Sequence, residues 1–217
     1  MVINNKKYKL VMFDMDGTLI DGRSILIFSE KKGFKDNLLN SLRSDKQPYE
    51  KSIEIAQFLK GVNSKELLDI FRKIPLQKNV EMVTQKIREK NIKTAVVTDS
   101  YQFIADDLKK RLGFDYAFAN NLIIENNIVT GKIILNNSSL RICETGITYS
   151  ICKDLVLDKI CNELNINSDE IIAIGDGVVD IGMIKKAGLG IAYKASEEVQ
   201  KNADIITNDM SVILDYI

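Results

Sequence analysis

Two aspartates one residue apart, Asp14 and Asp16, close the apolar run Leu10-Val11-Met12-Phe13 and are followed by Gly17 and Thr18. Carboxylates at that spacing suit two kinds of chemistry: holding a hard cation through oxygen, or attacking and protonating a substrate. Where a strand is ending, both can turn toward one point. Unneutralised at about 4 Å, such a pair costs roughly 1 to 4 kcal/mol, so it implies a cation or a raised pKa. The alternative is an Asp-rich turn, a common choice where loops begin. A second apolar run, Lys93 to Val97, ends in Thr98-Asp99-Ser100. A third, Ile171 to Ile174, ends in Gly175-Asp176-Gly177-Val178-Val179-Asp180. Between them lies Lys153, at the start of a stretch with Leu155, Val156, Ile160 and Leu164 at helical spacing.

Groups so far apart in sequence meet only if the fold brings strand ends together. Apolar runs of this length suit buried parallel strands, and ligands of open α/β sheets bind beyond the carboxyl ends of such strands. The remaining chain alternates accordingly, with elements predicted at 79–90, 93–98, 102–112, 151–164, 171–174, 181–186, 189–193, 197–202, 205–206 and 212–217. Four short amphipathic helices are predicted at 24–34, 35–43, 49–59 and 64–73, broken by Gly33, Pro48, Gly61 and Pro75, with Ser64 as an N-cap. Residues 122–135 alternate around Asn126-Asn127 and read as a β-hairpin. At 217 residues the chain exceeds the commonest domain size, which favours one α/β core with an insertion over two equal domains. The division expected is a core of 1–20 and 76–217, an insertion of 21–75 and a hairpin flap of 116–136.

Composition narrows the function. Thirty basic residues balance 30 acidic ones and no basic cluster stands out, so no nucleic acid partner is expected, though a nucleotide-sized substrate fits. No apolar run reaches the roughly 18 residues of a membrane span, and the N-terminus lacks a signal peptide's apolar core, so no membrane and a cytoplasmic location are expected. Cys143, Cys152 and Cys161, without metal spacing, are expected as reduced thiols. The absence of histidine excludes Ser-His-Asp catalysis and histidine-ligated zinc. Oligomeric state is not legible.

The order D-x-D-G-T, then Thr after a strand, then Lys, then G-D-G-x-x-D resembles that of the haloacid dehalogenase superfamily over almost the whole chain. Leu112 to Asn121 and Lys153 to Ala192 look most like its phosphoserine phosphatase branch. The resemblance implies an α/β fold, a doubly wound parallel sheet of Rossmann-like type, with a small inserted helical cap that closes over the catalytic mouth and a β-hairpin flap. It also assigns roles. Asp14 would be the nucleophile that forms an aspartyl phosphate. Asp16 would protonate the leaving oxygen and then activate water, its backbone carbonyl facing the metal. Asp14, Asp16 and Asp176 would hold Mg²⁺. Thr98 and Lys153 would bind the phosphoryl oxygens, with Gly17 and Asp99 beside them, and Asp180 would orient Lys153 or support the metal. The second aspartate of the first motif favours phosphate ester hydrolysis over dehalogenation or ion pumping, although a mutase would keep the same tetrad.

Departures from the branch concern the substrate. Phosphoserine phosphatases typically carry a cap glutamate for the substrate ammonium and a cap arginine for its carboxylate; ungapped alignment puts Arg23 at the first position and Ala56 at the second. A cation there repels an ammonium, so Arg23 suits a second anionic or hydroxyl-bearing group, unless it points to solvent. Asp99 and Ser100 replace two small residues; they either bind substrate hydroxyls or cap the following helix. Tyr49 is a further specificity candidate. Val179 replaces a polar residue, which would lower turnover. The stretch 133–151 is longer than usual and has no assigned role.

The expectation is a Mg²⁺-dependent phosphatase acting through Asp14 on a small phosphorylated metabolite other than free phosphoserine. The alternatives are phosphoserine phosphatase or a phosphotransferase and, from another class, a catalytically weak phospho-ligand-binding or regulatory protein.

Overall fold

All four residues of β1 (Leu10–Phe13) are fully buried in the computed structural model, which describes residues 8–217. The first seven residues of the expected core segment lie outside the described residues, as does the N-terminal reading that excluded a signal peptide. Strand alternation sends Val11 and Phe13 into one apolar cluster and Leu10 and Met12 into another, one on each face of the sheet. A continuous apolar run is what a strand covered on both faces requires.

On one side β1 pairs with β2 (Lys93–Tyr101), β2 with β3 (Tyr116–Glu125), and β3 with β4 (Ile128–Ile134). On the other it pairs with β5 (Ile171–Gly175), then β6 (Leu189–Tyr193) and β7 (Ile205–Thr207). Among the described residues the result is a seven-stranded sheet, parallel except for β4, in the order β4-β3-β2-β1-β5-β6-β7. The chain winds outward from β1 in both directions, which makes the carboxyl end of β1 the point where ligands bind in such sheets. Register places Phe13 beside Val96 and Ile174, so the residues just beyond, Asp14, Thr98 and Asp176, emerge at one edge.

Helices between the strands cover the faces: α5 (Val80–Glu89) and α6 (Gln102–Leu112) on the Phe13 side, α7 (Lys153–Leu164) and α8 (Ile181–Lys186) on the Met12 side. The short α9 (Glu197–Gln200) precedes β7, and the expected last element at 212–217 is a 3₁₀ segment, Met210–Asp215, packed against α5. Between β1 and β2 stand α1 (Ser24–Lys32), α2 (Lys35–Arg43), α3 (Pro48–Phe58) and α4 (Ser64–Phe71), close to the predicted bounds. The N-cap of α4 is Asn63 and not Ser64: the Asn63 side chain accepts the Lys65 N–H at 2.9 Å, and Ser64 is the first helical residue.

The two crossings into this insertion run side by side. Asp21 donates its N–H to Pro75 O at 2.8 Å, Gln77 to Leu19 O at 2.9 Å, and Ile20 bridges Leu76. A second attachment lies at the hairpin, where Asn126 and Asn127 both adopt positive φ, 49° and 64°, the pattern of a tight two-residue turn. Its tip is paired with the α3–α4 connection through Gly61 N–H to Val129 O, Val129 N–H to Val62 O and Ser64 N–H to Asn127 O, at 2.8 to 2.9 Å. The hairpin is therefore continuous with the core sheet through β3 and bonded to the insertion at its tip.

Two of the three expected thiols are not free. Cys143 and Cys152, nine residues apart with Cα atoms 5.4 Å from each other, form a disulfide, while Cys161 is unbridged. The loop of 135–152 folds back on the start of α7, and a sequence with three cysteines does not say which two meet. The disulfide removes the cysteine argument for a reducing compartment. Among the described residues no helix is long and apolar enough to cross a membrane.

Candidate active site

Lys153 is the first residue of α7 and is 1% exposed. Its ammonium donates to Asp14 Oδ1 and to Asp180 Oδ1. Burial alone would depress its pKa, but the Asp14, Asp180 and Asp99 carboxylates push it above the ordinary lysine value, so the cation persists. Asp180 is fully buried and its other oxygen accepts the N–H groups of Asp176 at 3.1 Å and Gly177 at 2.9 Å, closing the loop after β5. A Cβ on Gly175 would fall inside the Asp180 carboxyl group, which explains the glycine there.

Asp14, Asp176 and Asp180 each offer an oxygen, and these lie within 4.8 Å of one another. Burial raises the Asp14 pKa well above the carboxylate range, Lys153 opposes this, and Asp180 and Asp176 add to it. Asp176 is raised by burial and then by Asp180. Three carboxylates around one ammonium leave net negative charge on hard oxygen donors, and that donor set fits a hard divalent cation. Thr18 donates to Asp176 at 3.0 Å. Gly17 has φ 88°, and a Cβ there would approach Asp176 Oδ2 to 2.5 Å, so glycine makes room for the carboxylate.

The two aspartates of the first motif do not present their carboxylates to one point. Asp16 turns away from Asp14 and toward the insertion, where its oxygens accept the Ser24 N–H at 2.6 Å and the Ser24 hydroxyl at 3.0 Å. Ser24 Oγ lies 3.1 Å from Ser100 Oγ. Burial pushes the Asp16 pKa up to about 7, against the Ser24 bonds. It is a proton-bearing acid near neutrality and not a third carboxylate of the cluster, so its main-chain carbonyl alone is left for the metal role that the resemblance implied.

Thr98 is fully buried and its hydroxyl accepts the Ser100 N–H at 3.2 Å. β2 continues past it to Tyr101, with a register shift against β3 between Val97 and Tyr101. Tyr101 caps α6 without a side-chain bond, so Asp99 and Ser100 are not helix caps; both line a cavity of about 400 Å³ above the cluster. Arg23 lines it too, and bears electrostatically on Asp16 and Asp176. Tyr49 does not. Pro48, Lys51, Ser52 and Ile55, at i, i+3, i+4 and i+7 of α3, face the cavity, and Tyr49 is on another side of the same helix. Ala56 is fully buried.

Four contributors went unnoticed in the sequence. Ser24 had a signal, a hydroxyl at the first helical position after the motif. Lys51 had only its helical phase. Tyr149, in the unassigned stretch, lines the cavity. Gln77 had none: its side chain donates to Gly17 O at 3.0 Å and accepts from Lys194 at 2.7 Å, holding the motif loop.

The pKa directions make a prediction. Groups with raised folded pKa values stabilise the fold below the unfolded carboxylate pKa of about 4, and that contribution is lost as pH rises through the folded values, about 7 for Asp16. Metal-free protein should therefore lose melting temperature between about pH 5 and pH 8, and millimolar Mg²⁺ should flatten the slope. Calorimetric scans with and without metal test this; an identical slope in both would contradict the cation site.

Comparison with known proteins agrees with this geometry. A family model described as haloacid dehalogenase-like hydrolase matches residues 8–188. The phosphoserine phosphatase of Methanocaldococcus jannaschii is 29% identical over 98% of this chain and 99% of its own, and that of Campylobacter jejuni is 31% identical over 91% and 92%. The phosphoserine phosphatase of Archaeoglobus fulgidus is 32% identical over 92% of this chain, which spans only 56% of that longer protein. A solved structure of a phospho-aspartyl intermediate analogue of phosphoserine phosphatase superposes with TM-score 0.82 at 27% identity, covering 98% of this chain and all of that one. A Salmonella enterica HAD family hydrolase superposes with TM-score 0.88 at 25% identity over 98% of this chain and 72% of its own. The chain belongs to the haloacid dehalogenase-like hydrolases, on their phosphoserine phosphatase-like branch, and is a phosphoric monoester hydrolase.

Proposed function

We propose that the protein hydrolyses a small phosphate monoester other than free phosphoserine, by way of a phosphoryl group carried on Asp14. The observation that carries the reading is the division of labour between two aspartates: Asp14 sits against Lys153 and the carboxylate cluster, whereas Asp16 holds a proton near neutral pH. A nucleophile must be ionised and an acid must not be: burial raises both aspartates, but only Asp14 has the Lys153 ammonium against it to favour its ionised form, whereas Asp16 is hydrogen-bonded by Ser24 alone.

Asp14 would attack phosphorus while Asp16 gives its proton to the departing alkoxide; Asp16, then ionised and held by Ser24, would take a proton from the water that cleaves the aspartyl phosphate. Lys153 would balance charge on the transferring oxygens, and Asp180 would keep it aimed. Mg²⁺ held by Asp14, Asp176 and the Asp16 carbonyl would supply charge stabilisation at the phosphoryl group. The segment 21–75 would serve as a cap reading the leaving group, since Arg23, Lys51 and Ile55 stand over the site. Against phosphoserine stands Arg23, a cation on the cavity wall that repels an ammonium.

Phosphate release from a panel of phosphoserine, sugar phosphates, polyol phosphates and nucleotides, with Mg²⁺ and with a chelator, tests the reading. Metal-dependent turnover of one class is expected, with phosphoserine among the poorest. Phosphoserine as the preferred substrate would refute the specificity argument, and silence with every compound would refute the phosphatase reading.

A further inference from the structure

The charges that line the 400 Å³ cavity are segregated by origin. Every lining carboxylate, Asp14, Asp16, Asp99, Asp176 and Asp180, comes from the core, and every lining cation comes from the insertion: Arg23 before α1 and Lys51 on α3. The insertion also contributes aliphatic wall, including Leu26 and Ile55.

Most charge on the core side is already committed, Asp99 being the lining carboxylate without a bonded partner among the described residues. Lys153 is shared between Asp14 and Asp180, Asp16 is bonded to Ser24, and Asp99 acts on both Lys153 and Asp16. The insertion's cations are not. Among the described residues Arg23 makes no ion pair, and the Lys51 ammonium donates to a neutral acceptor, Leu42 O, at 2.9 Å. Arg23 is near enough to act on Asp16 and Asp176, whereas Lys51 is not among the groups acting on any of the catalytic carboxylates. Both line the same cavity from different segments of the insertion.

Resting on the phosphatase reading, we propose that the leaving group carries a second anion, a carboxylate or a phosphate, at the end of an aliphatic body, and that Arg23 and Lys51 are the residues that select it. A planar guanidinium and an ammonium offer several donors to such an anion, and both repel a protonated amine. A cavity of this size also exceeds what a three-carbon leaving group fills, and methylenes against its aliphatic wall add affinity that an all-polar polyol cannot.

A matched pair isolates the second charge: 6-phosphooxyhexanoate against its neutral primary amide, with p-nitrophenyl phosphate and Mg²⁺ reporting the catalytic centre. The wild-type enzyme should favour the carboxylate in kcat/KM by about tenfold or more, mainly through KM, since a hydrogen-bonded charge is worth about that much. Arg23→Gln and Lys51→Gln, on different segments so that one misfolded variant does not decide the matter, should each pull the ratio toward one, and Arg23→Glu should invert it. A ratio near one in an enzyme that hydrolyses p-nitrophenyl phosphate, or a ratio that neither Gln variant changes, overturns the selection inference alone. No hydrolysis of p-nitrophenyl phosphate overturns the phosphatase reading and this inference with it.

Discussion

Asp14→Asn is expected to abolish phosphate release, by a factor on the order of 10⁴ or more, because an amide cannot displace an alkoxide from phosphorus. The fold should survive. Asn keeps the shape, relieves the repulsion that Asp180 and Asp176 exert at this position, and leaves Lys153 paired with Asp180. Wild-type enzyme quenched in acid during turnover should carry one added phosphoryl group by mass spectrometry, and the variant none. An Asn variant that retains turnover, or a wild type that never carries the group while hydrolysing, would eliminate Asp14 as nucleophile. The same pair of experiments separates an enzyme from a phospho-ligand-binding protein, which has no use for a phosphorylated intermediate.

Lys153→Met should damage both stability and catalysis, for one reason. The lysine is the cation between Asp14 and Asp180, all three of them buried, and removing one partner of such a group leaves charge without compensation. A stability loss of about 3 to 5 kcal/mol follows, or roughly 6 to 20 °C of melting temperature in a chain this long. Asp14, already pushed upward by burial, would then take a proton and cease to be a nucleophile. Turnover should fall by about 10³-fold or more, part of it from lost charge stabilisation at phosphorus. Mg²⁺ should recover some stability and little activity. Thermal melts of the variant with and without metal, beside initial rates, check both halves; an unchanged melting temperature would mean that the carboxylates do not depend on Lys153.

Much of this was legible because the chemistry sits at strand ends. Apolar runs broken by glycine and aspartate announce a buried parallel sheet and its ligand edge together, so Asp14, Asp176 and Asp180 could be located before any geometry was known. Pairing partners chosen at a distance could not. The clasp between the hairpin tip and the α3–α4 connection is made by backbone groups of Gly61, Val62 and Val129, which carry no sequence mark. Gln77 is one glutamine among several until its amide is seen against Gly17. Rotation about a helix defeated the choice of Tyr49, since one position of helical phase separates a residue over the cavity from one beside it. The direction of Asp16 was misjudged for another reason: a strand that ends at Phe13 leaves the next residues free to turn, which permits a shared point and does not impose one.

The paired crossings at Ile20 and Leu76 have a bearing on how such proteins diversify. An insertion whose two ends are already hydrogen-bonded to each other presents the core with a closed base, whatever length of chain lies beyond it. Lengthening or replacing that chain changes little of the entropy of closing it, which grows only with the logarithm of its size. The groups on either side of that base can therefore be altered separately: the core side answers to phosphorus chemistry, and the chain beyond the base can be changed for a different alcohol so long as the backbone bonds of Gly61, Val62 and Ser64 to the hairpin are kept.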